Sequence, residues 1–133
     1  MAKKKSINYQ LNAGSFLISE AAIHEFHKET GINRVVTRLL LSIHAVSITS
    51  GNDIVASGNV RKLIDTVTPF NNNAYTSGLL EMHKRGLIER SIHYYKGNIK
   101  RLYICLTGLG IKMVKRFSQL LCEMTDKVVL FNA

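Results

Sequence analysis

Asn71, Asn72, Asn73, Thr76 and Ser77 place five short amide or hydroxyl side chains within seven consecutive positions. An asparagine amide sets a donor beside an acceptor, which matches the paired N6 and N7 groups of adenine, and a threonine methyl can meet a thymine methyl. Such groups read a base edge only if they share one face of a rigid element. Tyr75, Leu79 and Met82 recur at i, i+4 and i+7, so a helix over about 73–85 buries that stripe and leaves Asn73, Thr76, Ser77, Leu80 and Lys84 on the opposite side. The asparagine run is also a helix-start signal, and at least one of the three is expected to serve only as a cap. Gly86 stands where a left-handed residue ends a helix.

The second group of reactive side chains is cationic. Lys96, Lys100 and Arg101 cluster about a Lys96-Gly97-Asn98 tip between two β-type runs, 87–95 and 99–106. A three-residue tip sets Ile92 opposite Leu102, Arg90 opposite Ile104 and Ile88 opposite Leu106. A two-residue tip mixes the faces, because a one-residue slip turns every side chain over. Gly97 or Asn98 should then adopt positive φ. With no carboxylate near the tip, these cations suit phosphate or minor-groove contact; plain solvation is the alternative. Tyr94, Tyr95 and Tyr103 interleave with them and could stack on unpaired bases, although tyrosine is common in strands for packing alone. Arg61 and Lys62 are further candidates for backbone phosphates. Lys84 could reach a phosphate, whereas Arg85 is better explained by the negative end of its helix.

The whole composition agrees with a polyanionic partner. The 133 residues carry 18 Lys and Arg against 9 Asp and Glu, a formal charge of +9. That excess suits nucleic acid or an acidic membrane surface. Hydrophobic residues make up 46% and charged residues 20%, which excludes a disordered chain. The residues after Lys3-Lys4-Lys5 are too polar for a secretory signal, and no apolar run is long enough for a bilayer, so a soluble, cytoplasmic protein without membrane contact is expected. Cys105 and Cys122 lack metal spacing and read as small buried hydrophobes. His24 and His27 lie one helical turn apart without a third ligand. Neither a nucleophile–base set nor a phosphate loop is present, so neither metal, cofactor nor enzymatic activity is expected.

Along the chain, 1–14 reads as a basic arm. A short helix follows Ser19, its expected cap, with Ala22, Ile23 and Phe26 inward and Gly31 as its stop. Asn33 should cap an apolar helix to about Ser47. Asp53–Ala56 reads as a short strand. The next helix, 60–67, would turn Val60, Leu63, Ile64 and Val67 inward and end at Pro69, with Phe70 plugging the core. Thr107 should cap a last helix, to about Met124, with Leu109, Met113, Phe117, Leu120, Leu121 and Met124 as its apolar face. The apolar ending Val128–Phe131 suggests packing onto another surface. The expectation is one domain over 1–133: the arm, N-terminal helices over 19–47, a winged helix-turn-helix core over 54–106, and a dimerisation helix and tail over 107–133. Its class is mainly α with a small β-hairpin.

Two segments resemble the MarR family of winged-helix transcription regulators. Leu80-Glu81-Met82-His83-Lys84-Arg85-Gly86-Leu87-Ile88-Glu89-Arg90 is similar to that family's recognition-helix end. Leu102-Tyr103-Ile104-Cys105-Leu106-Thr107-Gly108-Leu109-Gly110 resembles its aliphatic strand, Leu-Thr, two residues, Gly junction. The element order matches over about 19–125. Asn98-Ile99-Lys100 stands where the family usually has Asp-x-Arg, so the pair that stiffens the wing is absent and lysine replaces a planar fork. Ser77 stands where arginine is common, and the turn around Thr68 and Pro69 is a residue longer. The resemblance implies a homodimer on double-stranded DNA, with an effector pocket for a small molecule between its dimerisation and DNA-binding regions.

The expected function is therefore sequence-specific regulation of transcription. Asn72, Asn73, Thr76 and Ser77 would face bases, and Arg61, Lys84, Lys96, Lys100 and Arg101 would hold the backbone or minor groove. Two alternatives share these residues: a replication, partition or excision protein of a mobile element, and a basic module that binds an acidic protein.

Overall fold

A computed structural model describes the backbone at 2–67 and 70–132 and the side chains at 13–67 and 70–128. The elements run α1 (Ala2–Thr30), α2 (Arg34–Ser50), β1 (Ile54–Ala56), α3 (Ser57–Val67), α4 (Asn72–Lys84), β2 (Ile88–Tyr95), β3 (Ile99–Leu106) and α5 (Gly108–Asn132). They divide into two compact units: 1–33 with 115–133, and 34–114.

In the first unit the helix expected to begin after Ser19 instead runs from Ala2. Ser19 is thus interior to α1 and caps nothing, and the segment read as an arm is helical backbone. A basic, polar composition reads as an arm, but composition reports exposure and not helicity. The stop at Gly31 holds: its φ is +73°, and its N–H donates to the His27 carbonyl at 2.8 Å. Thr30 and His27 finish the turn, the Ile32 N–H donating to Thr30 Oγ1 at 3.1 Å and His27 Nδ1 lying 3.1 Å from the Ile32 carbonyl. Phe26 and Phe117 meet edge to face at 5.5 Å, and Ala22, Ile23, Leu120 and Met124 are buried with them. Arg116 joins α1 to α5 through both carboxylate oxygens of Glu29, its Nε donating to Oε2 at 2.8 Å.

In α5 the buried large apolar side chains among the described residues are Val114, Phe117, Leu120 and Met124; Leu109 is exposed, and Met113 and Leu121 are half-buried. The apolar face is therefore narrower than expected and is led by Val114. The helix continues through the segment read as a tail, but the side chains of 129–131 lie outside the described residues, as do those of the 1–12 segment and both Thr68 and Pro69.

The second unit is built on α2, whose Val36, Leu39, Leu40 and Ile43 are almost wholly buried. It packs against α3, α4, β1 and β3. It runs three residues beyond the expected end, to Ser50. The sheet order is β1-β3-β2, antiparallel throughout. Ile88 pairs with Leu106, Arg90 with Ile104 and Ile92 with Leu102, which is the three-residue-tip register. Both Gly97 (φ +82°) and Asn98 (φ +61°) are left-handed. Val55, Ile88 and Ile104 form the buried side of the sheet. α3 begins at Ser57, earlier than expected, and buries Val60 and Ile64. Leu63 is only half-buried and Val67 is exposed, so the last turn does not face inward; Phe70 is half-buried and not a plug.

Candidate nucleic-acid interface

The α4 helix starts at a built cap. Asn71 is extended (φ −72°, ψ 164°), and its Oδ1 accepts the Ala74 N–H at 2.7 Å. Asn71 is thus the asparagine that serves the backbone, which leaves Asn72 and Asn73 for other work. Tyr75, Leu79 and Met82 are buried and Asn72, Asn73, Thr76 and Ser77 are all exposed. The apolar stripe orients the helix because turning it over would expose those three side chains. Gly78 is buried, and a Cβ there would overlap Leu39 Cδ1, so α4 lies hard against α2.

The two helices of the helix-turn-helix are locked by polar bonds. Tyr75 Oη sits 2.7 Å from Ser57 Oγ and donates to the Ser57 carbonyl at 3.1 Å. Burial pushes the Tyr75 phenol above its ordinary range, while the Ser57 bond pulls it back. Arg61 bridges the turn: its Nε reaches Asp65 Oδ1 at 3.2 Å, its Nη2 donates to the Phe70 carbonyl at 2.8 Å, and its guanidinium carbon lies 4.9 Å from the Tyr75 ring centre. Arg61 is thus a brace of the turn, a role the sequence reading did not find. Asp65 four residues later was the available signal, but a backbone carbonyl partner leaves no mark in sequence.

After α4 the chain reverses tightly. Gly86 takes φ +73°, Leu87 N–H donates to the Met82 carbonyl at 2.9 Å, and Gly86 N–H to that of His83 at 3.0 Å. This is the paired bonding of a glycine helix end. Arg85 pairs with Glu81 at 2.9 Å, whereas Lys84 is exposed at the helix end. Thr107 fastens the base of the hairpin, donating to the Gly86 carbonyl at 2.5 Å and accepting the Gly110 N–H at 3.1 Å. A Cβ at Gly110 would run into the Leu87 carbonyl, which explains the glycine three residues past the threonine.

On the hairpin, Lys96, Lys100 and Arg101 are exposed. Lys100 Nζ lies 5.9 Å from the Tyr94 ring centre and the Arg101 guanidinium carbon 5.0 Å from that of Tyr95. Tyr95 and Tyr103 share a hydroxyl contact of 2.6 Å, which raises the Tyr95 phenol, and His93 meets Tyr103 edge to face at 4.7 Å. The tyrosines therefore stack on strand neighbours and cations, the ordinary cross-strand role. The structure brings the α4 group and the hairpin cations into the same compact unit. Among the described residues no three His, Cys, Asp or Glu side chains group as metal ligands, and no helix is long and apolar enough to cross a membrane. Burial pushes the Cys105 thiol up, with Asp53 and Glu89 adding to the effect.

The chain matches no family model and no curated protein sequence. Solved structures do match it. A cysteine-to-serine mutant of E. coli MarR complexed with operator DNA is 16% identical with a TM-score of 0.57, over 96% of this chain and 80% of that one. A MarR family transcriptional regulator from Streptomyces coelicolor in complex with DNA is 11% identical with a TM-score of 0.62, over 100% and 80%. A phenylalanine-to-leucine mutant of S. aureus MepR bound to an oligodeoxyribonucleotide is 16% identical with a TM-score of 0.59, over 92% and 81%. At such identities the likeness is one of architecture: five helices and a three-stranded antiparallel sheet give this chain the MarR-like winged-helix fold.

Proposed function

We propose that this protein is a sequence-specific, homodimeric regulator of transcription that binds double-stranded DNA. The observation that carries this reading is the two-sided α4 helix: Tyr75, Leu79 and Met82 are buried, and Asn72, Asn73, Thr76 and Ser77 are exposed. The exposed side suits the major groove, where asparagine amides meet adenine and the Thr76 methyl meets thymine. Leu80, 43% exposed on the same side, adds a second apolar contact for a thymine methyl. Lys84, Lys96, Lys100 and Arg101 would set the register on phosphates or in the minor groove, and Arg61 would support them by holding the turn. The likeness to proteins solved on DNA supports the same reading, as does the charge of +9.

The action is binding and not catalysis. A small-molecule effector remains part of the proposal only through the fold. The test is selection of bound duplexes from a random pool at physiological salt. A recurrent motif with two related half-sites is expected. Uniform recovery of all sequences would refute specific regulation and leave a basic module with an acidic partner.

A further inference from the structure

Lys62 of α3 and Lys100 of β3 line one cleft of about 430 Å³ with Ser57, Gly58, Asn59 and Arg101, and no acidic side chain lines it. Three arginines of the molecule are paired: Arg61 with Asp65, Arg85 with Glu81, and Arg116 with Glu29 and Glu123. Lys62 and Lys100 have no ion-pair partner among the described residues. Lys100 lies 5.9 Å from the Tyr94 ring centre and Arg101 5.0 Å from that of Tyr95, contacts that leave both charges in place, so the cleft carries three cations.

The cleft exists because β1 is short. It covers β3 only at Tyr103, Ile104 and Cys105, so the backbone edge at Lys100–Leu102 is bare on that side, where α3 begins. Ala56, the residue before α3, has no side chain with which to cap the first turn. Like charges that border one cleft repel, and an anion held between them turns that repulsion into attraction. First-turn N–H groups add to the preference for negative charge.

We propose that this cleft is a phosphate-binding site in which Lys62 and Lys100 clamp a single phosphate group between α3 and the hairpin. The proposal rests on duplex binding for one source of the group, a backbone phosphodiester; a phosphorylated small molecule offers the same chemistry. In the first case one phosphate ties the helix-turn-helix to the wing, so the wing is set in register with α4 and does not bind as a separate arm.

The test is a double-mutant cycle on the full chain with Lys62→Gln, Lys100→Gln and the pair, each first checked for an unchanged melting temperature. Lysines that hold one phosphate are coupled, so duplex affinity should fall about fivefold in each single variant and about tenfold in the double, not the roughly twenty-five-fold of independent contacts. In parallel, the Gly58 and Asn59 amide resonances of the ¹⁵N-labelled protein are followed against the duplex and against inorganic phosphate at matched ionic strength. A coupled cycle with shifted amides establishes the backbone phosphodiester as the occupant. Amides that shift with inorganic phosphate in the wild type but not in the double variant, without a coupled cycle, establish a free phosphate group instead. Tight duplex binding with an additive cycle and unmoved amides in both titrations overturns the clamp and leaves the regulator reading intact. If the wild type binds no duplex, that reading falls, and the phosphate titration alone decides the clamp.

Discussion

On the proposed function, individual side chains divide into those that would read bases and those that hold the structure or the backbone. Thr76 is exposed on α4 and Lys96 at the hairpin tip, so their substitutions should act differently. Thr76→Ala is expected to cost about 1–3 kcal/mol at the selected site and little on an unrelated duplex. Lys96→Gln should weaken all duplexes alike and reduce the salt slope by about 0.9. Equilibrium titrations on both duplexes at several salt concentrations would separate these outcomes, and identical behaviour would contradict the assignment. Asn71 belongs to the holding class. Asn71→Ala removes the bond to the Ala74 N–H and should lower stability by about 1 kcal/mol in urea denaturation. The stripe and the exposed polar side were legible in the sequence because helical spacing fixes which residues share a face. The bracing role of Arg61 was not legible, because the Phe70 carbonyl comes near it only after the turn has folded.

Whole elements depend on how their ends are tied. Thr107 joins the starts of β2 and α5 through the Gly86 carbonyl and the Gly110 N–H. Thr107→Val keeps the shape and loses both bonds, so a loss of about 1–2 kcal/mol is expected, seen as a lower denaturation midpoint with an unchanged slope. The tie between α1 and α5 is sensitive to pH. The hydrogen bond from Arg116 holds the Glu29 carboxyl below its ordinary value. A carboxylate lowered in this way contributes stability above its unfolded value and loses it as pH falls through the folded one. The melting temperature of the wild type should therefore exceed that of Glu29→Gln near neutrality, and the gap should close below about pH 4. A gap that stays constant with pH would show that the pair contributes nothing. Element boundaries were less legible than faces: α1 extends far before Ser19, because a polar helix leaves no apolar rhythm.

At the scale of the molecule, the proposed dimer makes a geometric demand. Two α4 helices should enter successive major grooves about 34–36 Å apart, so half-sites lie about 10 base pairs from centre to centre. Sedimentation should give a dimer, and a duplex with one half-site should bind far more weakly than one with two. A monomer that saturates a single half-site would refute the assembly. The apolar face of α5 bears on this, and it was only partly legible: Leu109 has helical spacing but is exposed, whereas Val114 is buried. Spacing names the positions that share a stripe, and packing decides where the stripe begins.

The charge excess, the order of elements, the two-sided α4 helix and the hairpin register are all written in the residues. Each follows from local rules: a helical period, a strand period of two, and turn residues that admit left-handed backbone. It takes the folded chain to set Arg61 as the brace of a turn, to bond Ser57 to Tyr75 and to bring Lys62 into one cleft with Lys100. Those contacts join residues far apart in the chain or use backbone groups that every residue carries, so no residue type or spacing announces them.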